Sequence, residues 1–353
     1  METKNSNQLL QEGLKLHMAG NFEEAEAKYN EAAAMDISNA VVHNNLGFLF
    51  TQKGKYSEAI AEYQKAIGLN NDYATAYGNM GQVLLIVNRS EEAIKMLLKS
   101  IELDPNESNT YLNLGIAYIS QQKYENAYSA LAKSIDLNPS NPSAWEHFAK
   151  YFMIITEYEK AEKAWHEAIQ LNNIPEYNYQ FAICKTMQKK YDEAIDVYFD
   201  IIQKNDEFTT AYQQLGIVYY LQKNFGLAKK YLQRALGLEP ENEDSRYYLG
   251  LVFLALNENE KAITEFDRIL LINPANLKVK TDLGVLFMGK SDFNLALKLF
   301  SEVLKEEPGY QKAYYYKAHA LNKIGKEKEA KEIFQEISRN KENPYADEAR
   351  KYV

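Results

Sequence analysis

The sequence predicts an all-α fold, built from tandem pairs of antiparallel helices rather than around one central core. A glycine recurs at a step of 34 residues wherever neighbouring repeats can be compared: Gly13, Gly47, Gly81, Gly115, Gly216, Gly250 and Gly284. An alanine keeps the same step from Ala25 to Ala330, with one step of 33 residues between Ala161 and Ala194. A constant period of roughly 20–50 residues indicates supersecondary units stacked in a row. The length of 353 residues agrees, because a single core rarely serves more than about 300 residues.

Each period contains two helices separated by a tight turn. Between residues 40 and 73 the apolar side chains fall at helical spacing, and Gly54 and Lys55 interrupt them. A proline follows the second helix at one repeat position: Pro105, Pro139, Pro240, Pro274 and Pro308. Proline cannot continue a helix because it lacks the amide donor and clashes with the preceding turn. Pro175 stands where a first helix is expected, a position that tolerates the missing donor.

The recurring glycine lies in the middle of the first helix, where it costs roughly 1 kcal/mol relative to alanine. The apolar spacing runs through it without a break, as in residues 112–118. We therefore expect a close approach of the two helices of each repeat at this glycine, with the recurring alanine of the second helix opposite.

The repeat resembles the tetratricopeptide repeat (TPR). One unit carries the pattern at Tyr111, Leu114, Gly115, Tyr118, Ala127 and Pro139. The resemblance implies a right-handed TPR superhelix of ten repeats: 6–39, 40–73, 74–107, 108–141, 142–174, 175–208, 209–242, 243–276, 277–310 and 311–344. Residues 345–353 are then expected to form a C-terminal capping helix. The pentatricopeptide repeat, which reads RNA one base per unit, is the alternative, but its period is 35 residues and it is usually basic.

The TPR resemblance implies that the first helices line a concave groove. The sixth repeat position then places an amide or an imidazole on one inner line in seven successive units: Gln11, Asn45, Asn79, Asn113, His147, Gln180 and Gln214. Amides donate and accept hydrogen bonds, so such a line can hold the backbone of an extended peptide. It resembles the asparagine ladder in the TPR superhelix of the O-linked N-acetylglucosamine transferases.

Two further sets of residues map to the concave groove. Asn44 and Asn79 match the amide positions of TPR domains that grip a carboxylate, but the basic positions of that clamp are not basic here. Towards the C-terminus tyrosines map to the inner face, which predicts an aromatic subsite: Tyr220, Tyr247, Tyr248, Tyr315 and Tyr316. Tyrosine is a favoured interface anchor because it joins a large apolar area to a polar tip. Lys278 and Lys312 border this region.

Composition and motifs exclude several classes of function. The net charge of −9 argues against general nucleic-acid binding. The five histidines and the single cysteine, Cys184, form no zinc pattern, and phosphate-loop and nucleophile-elbow motifs are absent from the sequence. We therefore expect no enzyme activity, no cofactor and no bound metal. The apolar runs are too short for a membrane span, no signal peptide is evident, and the single cysteine favours the cytoplasm.

The sequence thus predicts a protein–protein interaction scaffold that binds an extended or helical peptide in the concave groove. A self-assembling TPR module that forms a homo-oligomer or coat is the second hypothesis. RNA binding through the less acidic C-terminal half is the third.

Overall fold

The computed structural model describes residues 5–353, and the regular structure in that range is helical throughout. Twenty helices of 13 or 14 residues form ten pairs. The first helices of the pairs, the A helices, are α1 (Ser6–Met18), α3 (Ala40–Gln52), α5 (Ala74–Ile86), α7 (Ser108–Ser120), α9 (Pro142–Ile154), α11 (Pro175–Met187), α13 (Thr209–Leu221), α15 (Glu243–Ala255), α17 (Leu277–Gly289) and α19 (Gln311–Lys323). The second, the B helices, are α2 (Phe22–Met35), α4 (Tyr56–Leu69), α6 (Ser90–Leu103), α8 (Tyr124–Leu137), α10 (Tyr158–Leu171), α12 (Tyr191–Lys204), α14 (Phe225–Leu238), α16 (Asn259–Ile272), α18 (Phe293–Glu306) and α20 (Glu327–Arg339). The predicted all-α class of tandem helix pairs is confirmed.

The helices fall into two compact units, Met1–Gln188 and Lys189–Val353. The boundary falls between α11 and α12, and within each unit the other helices pack on the second member of their pair and on helices of the neighbouring pairs. The largest fully buried side chains of unit one include Tyr63, Leu97 and Trp165, and those of unit two include Phe266 and Phe300. All of them belong to B helices and point at the A helix of their own pair or its neighbours.

The one short step in the sequence period lies in a loop. A four-residue loop joins most B helices to the next A helix, but only residues 172–174 join α10 to α11. Pro175 is the first residue of α11, which confirms the helix start predicted there. Removing a residue from a loop leaves both helices at full length, and loops tolerate such changes.

The turn between the A and B helices has one conformation in all ten pairs. Its middle residue has a positive φ, between 56° and 83°. In the second pair, for example, Gly54 has φ 70°, and the Lys55 amide donates to the Phe50 carbonyl at 2.8 Å. This bond to the carbonyl five residues earlier, the 6→1 bond, is the Schellman pattern of a helix end. Glycine fills the turn position only at Gly20, Gly54 and Gly325; the other seven residues are Asn88, Gln122, Thr156, Lys189, Lys223, Asn257 and Ser291.

The mid-helix glycines lie where the two helices of a pair approach most closely. A Cβ atom added to Gly47 would lie 2.7 Å from the ring of Tyr63, and one added to Gly115 would lie 2.6 Å from Cγ of Leu131. The close approach is therefore confirmed, but the expected partner was wrong. The group that faces the glycine is a large side chain, which follows the recurring alanine by four residues. The alanine is also buried, one helical turn before that side chain.

Residues 345–353, the C-terminal segment, contain one helical turn, α21 (Ala346–Ala349), followed by a 3₁₀ turn (Arg350–Tyr352). Ala346 and Ala349 are buried. The ring of Tyr352 stacks on Phe334 of α20 at 4.7 Å between centroids. The segment thus covers the apolar side of the last helix pair.

Candidate functional site

The A helices of four successive pairs in unit one border an open cavity of about 520 Å³, here called the amide pocket. Nine of its fifteen lining residues carry an amide or a hydroxyl group: Thr75, Asn79, Gln82, Ser100, Asn109, Thr110, Asn113, Asn141 and Ser143. Two more, Asp104 and Glu107, are carboxylates, and Phe48, Ala74, Gly78 and Leu112 complete the wall. Of the predicted amide line, Asn79 and Asn113 lie in this pocket.

A short chain of hydrogen bonds orients the amides at one side of the pocket. The Nδ2 atom of Asn79 donates to Oδ1 of Asn44 at 3.0 Å, and Nδ2 of Asn44 donates to Oδ1 of Asn45 at 3.4 Å. Asn44 is only 6% exposed, and its side chain takes part in both of these bonds. These bonds leave Oδ1 of Asn79 and Nδ2 of Asn45 without a side-chain partner in the chain of hydrogen bonds.

The opposite side of the pocket is built by two asparagines that the amide line does not contain. Nδ2 of Asn141 donates to Oδ1 of Asn109 at 3.2 Å. Asn141 is also the N-cap of α9, where its Oδ1 accepts the amide of Ser143 at 3.1 Å. The sequence does contain a signal for Asn141. It directly precedes Pro142, and an asparagine followed by a proline is typical of an N-cap and the first residue of a helix.

The other members of the amide line in unit one stand outside the pocket. Gln11 is exposed, and Gln180 is half-buried in α11. His147 turns to its own helix, because its Nδ1 atom lies 2.8 Å from the carbonyl oxygen of Ser143. Burial lowers the pKa of His147, so the neutral ring, with Nδ1–H as donor, is favoured.

A second cavity of about 380 Å³, here called the apolar pocket, lies between the first two pairs. It is lined by Leu14, His17, Met18, Gly20, Phe22, Asn45, Phe48 and Gln52. The His17 ring is held by Gln52, with 2.8 Å between Nε2 and Oε1. Phe48 is 43% exposed and lines both pockets, so the two cavities meet at its ring.

In unit two, three of the predicted tyrosines form one aromatic row. The rings of Tyr220 and Tyr248 meet edge to face at 5.9 Å, and those of Tyr247 and Tyr248 at 5.8 Å. Gln214, the last member of the predicted amide line, is half-buried in α13.

A charged cluster adjoins this row. The hydroxyl of Tyr247 donates to Oδ2 of Asp282 at 2.8 Å, and Nζ of Lys312 lies 2.5 Å from Oδ1 of the same carboxylate. Burial, followed by the charge of Asp282, raises the pKa of Tyr247, so its phenol is neutral. Nζ of Lys278 lies 3.9 Å from the centre of the Tyr247 ring, a cation–π contact. Lys312 is thereby engaged by Asp282, and Lys278 by the ring.

The remaining two tyrosines pack at the end of the array. Tyr315 is 9% exposed, and its ring stacks on Tyr345 of the C-terminal segment at 4.5 Å. Tyr316 is half-buried, with its ring centre 5.3 Å from that of Tyr315. In this structure Tyr315 is covered by its own chain, whereas the row of Tyr220, Tyr247 and Tyr248 is only partly covered.

No group of three or more His, Cys, Asp or Glu side chains among residues 5–353 could hold a metal ion. No helix in this range has both the length and the apolar character that a membrane span requires.

Comparisons with solved structures show where else this fold occurs. PilF from Pseudomonas aeruginosa is 24% identical, with a TM-score of 0.53 over 59% of this chain and 95% of that chain. PilW, a type IV pilus biogenesis factor, is 18% identical, with a TM-score of 0.55 over 57% of this chain and 94% of that one. The APC/C Cut9–Hcn1 hetero-tetramer is 17% identical, with a TM-score of 0.54 over 90% and 76%. At these identities the likeness concerns the fold alone.

Sequence comparisons identify the repeat itself. A comparison with curated proteins gave no significant match. Family profiles described as "TPR repeat" and "Tetratricopeptide repeat" match residues 49–85, 74–107, 96–128, 219–281 and 287–351. Together these stretches cover more than half of the chain, and the helix pairs and structural neighbours agree with them. The chain therefore belongs to the tetratricopeptide repeat family.

Proposed function

We propose that this protein is a non-catalytic interaction scaffold that holds an extended segment of a partner protein in the amide pocket. The observation that carries the proposal is the lining of that pocket, where nine amide and hydroxyl side chains from successive pairs face one open cavity. An extended peptide presents backbone donors and acceptors at a regular spacing, and amides can satisfy both kinds. The cytoplasmic location expected from the single cysteine remains part of the proposal.

Several polar groups of the pocket are left for a ligand. The side-chain amides of Gln82 and Asn113 have no hydrogen-bond partner among the described residues. Asn79 uses only Nδ2, in its bond to Asn44. This bond already orients the Asn79 amide, so ordering it on binding costs less side-chain entropy than ordering Gln82 or Asn113. These amides are thus the ones on which we expect affinity to depend.

The competing hypotheses make different demands on this surface. Unit one carries 15 Lys and Arg against 23 Asp and Glu, a net charge of −8, which repels a phosphate backbone. Self-assembly would use this chain as its own partner. Light scattering over a range of concentrations measures the mass of the particle directly. A dimer that persists when Gln82 and Asn113 are both replaced by alanine would favour the self-assembly hypothesis.

The test is a quantitative pull-down with the full chain as bait, beside a Gln82→Ala/Asn113→Ala variant. These two side chains are chosen because removing them leaves the bonds among Asn44, Asn45 and Asn79 in place. Each lost hydrogen bond is worth about 0.5–1.5 kcal/mol, so partner affinity should fall roughly tenfold or more.

The matched control is Gln64→Ala/Asn126→Ala, which removes two exposed amides from the B helices α4 and α8. It should retain partners at the level of the natural chain. Equal recovery with all three baits, at equal helicity by circular dichroism, would place the binding surface outside the amide pocket and refute the proposal.

A further inference from the structure

The two cavities of unit one differ sharply in chemistry although they share the ring of Phe48. The apolar pocket offers Leu14, Met18, Phe22 and that ring. The amide pocket offers neutral polar groups and two carboxylates, and none of its fifteen lining residues is Lys, Arg or His. A segment that runs along both would therefore meet an apolar site first and an acidic site further on.

The acidic site consists of Asp104 and Glu107, in the loop between α6 and α7. Both side chains are exposed. Each accepts one backbone hydrogen bond, Asp104 from the amide of Asn106 and Glu107 from that of Asn109. Neither is joined to a cation by an ion pair among the described residues, and a carboxylate can accept further bonds. Two carboxylates without a cation, on a unit of net charge −8, are complementary to a basic side chain.

We infer that the segment bound by unit one carries an apolar side chain and, about five or six residues away, a lysine or arginine. The inference rests on the proposed function and adds the chemistry of the partner. The apolar residue enters the apolar pocket beside Phe48, the backbone follows Asn79 and Asn113, and the basic residue meets Asp104 and Glu107.

The spacing follows from the packing of the A helices. The apolar pocket lies on α1 and α3, and the acidic site lies in the loop that leads from α6 into α7, two A helices beyond α3. The side chains of α3 and α5 touch, since Asn44 and Asn79 are hydrogen-bonded. Packed helices lie about 8–10 Å apart, so two steps span about 16–20 Å. An extended chain advances about 3.3 Å per residue, which gives about five or six residues.

The experiment uses a random library of 12-residue peptides displayed on phage and selected on the immobilised full chain. Peptides enriched on the natural chain are sequenced, synthesised with blocked ends and a fluorescent label, and titrated by anisotropy. We expect a Leu, Met or Phe and a Lys or Arg to be enriched five or six residues apart, in either order along the peptide.

Three variants test the acidic site and the apolar pocket separately. Asp104→Asn/Glu107→Gln keeps both backbone hydrogen bonds but removes the charges, and should weaken the selected peptides about fivefold at 0.15 M salt. Phe48→Ala should weaken them about tenfold and abolish the apolar preference on reselection. Glu58→Gln/Glu91→Gln, which neutralises two exposed carboxylates on B helices, is the matched control and should change affinity less than twofold.

The outcomes separate this inference from the proposed function. Enriched peptides that lose affinity with Gln82→Ala/Asn113→Ala but show no basic preference, or no response to Asp104→Asn/Glu107→Gln beyond that of the control, would overturn the inference alone. Enriched peptides that ignore Gln82→Ala/Asn113→Ala, or no enrichment at all, would overturn the proposed function and the inference with it.

Discussion

The glycines at the helix crossings lead to a quantitative prediction for Gly216→Ala. An added Cβ at Gly216 would lie 2.5 Å from Cγ and 2.8 Å from Cδ2 of Leu232, and 3.1 Å from its backbone nitrogen. Leu232 is fully buried, so it has no free volume into which to move. Overpacking a filled core costs about 1–3 kcal/mol, and alanine gains about 1 kcal/mol over glycine inside a helix. Because a backbone atom also obstructs the methyl group, we expect a net loss of about 1–2 kcal/mol.

The same repeat supplies a matched control. Gly237 lies in α14, is exposed, and has no atom within 4 Å of an added Cβ. Gly237→Ala should therefore stabilise the pair, by about 0.5–1 kcal/mol, through helix propensity and a less flexible unfolded chain. The two alanine variants should thus differ by about 2 kcal/mol and have opposite signs relative to the natural chain.

The assay is native-state hydrogen exchange of peptides from α13 and α14, read by mass spectrometry. A repeat array opens locally, so a single unfolding temperature would average over many pairs. Since 1.4 kcal/mol corresponds to a factor of ten, exchange should become about tenfold faster in Gly216→Ala and two- to fivefold slower in Gly237→Ala. If Gly216→Ala exchanges no faster than the natural chain, close packing on Leu232 is not the reason for the glycine.

Two further predictions concern backbone strain and pH. Thr156 has φ 61°, in a region of backbone conformation that β-branched residues avoid and asparagine tolerates. Thr156→Asn should therefore slow hydrogen exchange in α9 and α10 by the equivalent of about 0.5–1 kcal/mol. Unchanged exchange would show that the backbone at Thr156 is not strained. Burial lowers the pKa of both His147 and His319 in the folded chain. As the pH falls through about 6.5, the unfolded chain therefore binds protons before the folded chain does. The free energy of unfolding should accordingly fall between about pH 7 and pH 5. The urea midpoint measured against pH should flatten in His147→Gln/His319→Phe; a natural chain whose midpoint is constant over this range would contradict the assignment.

The helical organisation could be predicted because the same few signals recur in register along the chain. A single alanine, glycine or proline is weak evidence, but the alanine recurs in all ten units, the glycine in seven and the proline in five. The shared turn conformation was harder to see. Its position holds glycine in only three pairs, and Thr156 or Lys223 at the same place gives no local indication of a positive φ.

The site was predicted less completely, because repeat position does not determine where a side chain finds its partner. Asn79 and Asn113 line the amide pocket, but His147, at the equivalent position, bonds the carbonyl oxygen of Ser143 in its own helix. The alanine expected opposite each mid-helix glycine was misplaced for a similar reason, since the crossing depends on side-chain size as well as on spacing. Tyr315 packs against Tyr345, a residue outside the repeated pattern that the period could not pair with it.

Each helix pair packs only on its neighbours. This affects the order in which native structure can form during synthesis. Contacts of short sequence separation allow fast folding, and a nascent chain folds from its N-terminal end. We expect each pair of unit one to become ordered soon after its B helix emerges, without waiting for distant residues. The last pair differs, because the faces of Tyr315 and Phe334 are completed by Tyr345 and Tyr352. Until those residues emerge, the newest pair presents its apolar side to solvent, and a chaperone that recognises exposed aromatic side chains would meet it there.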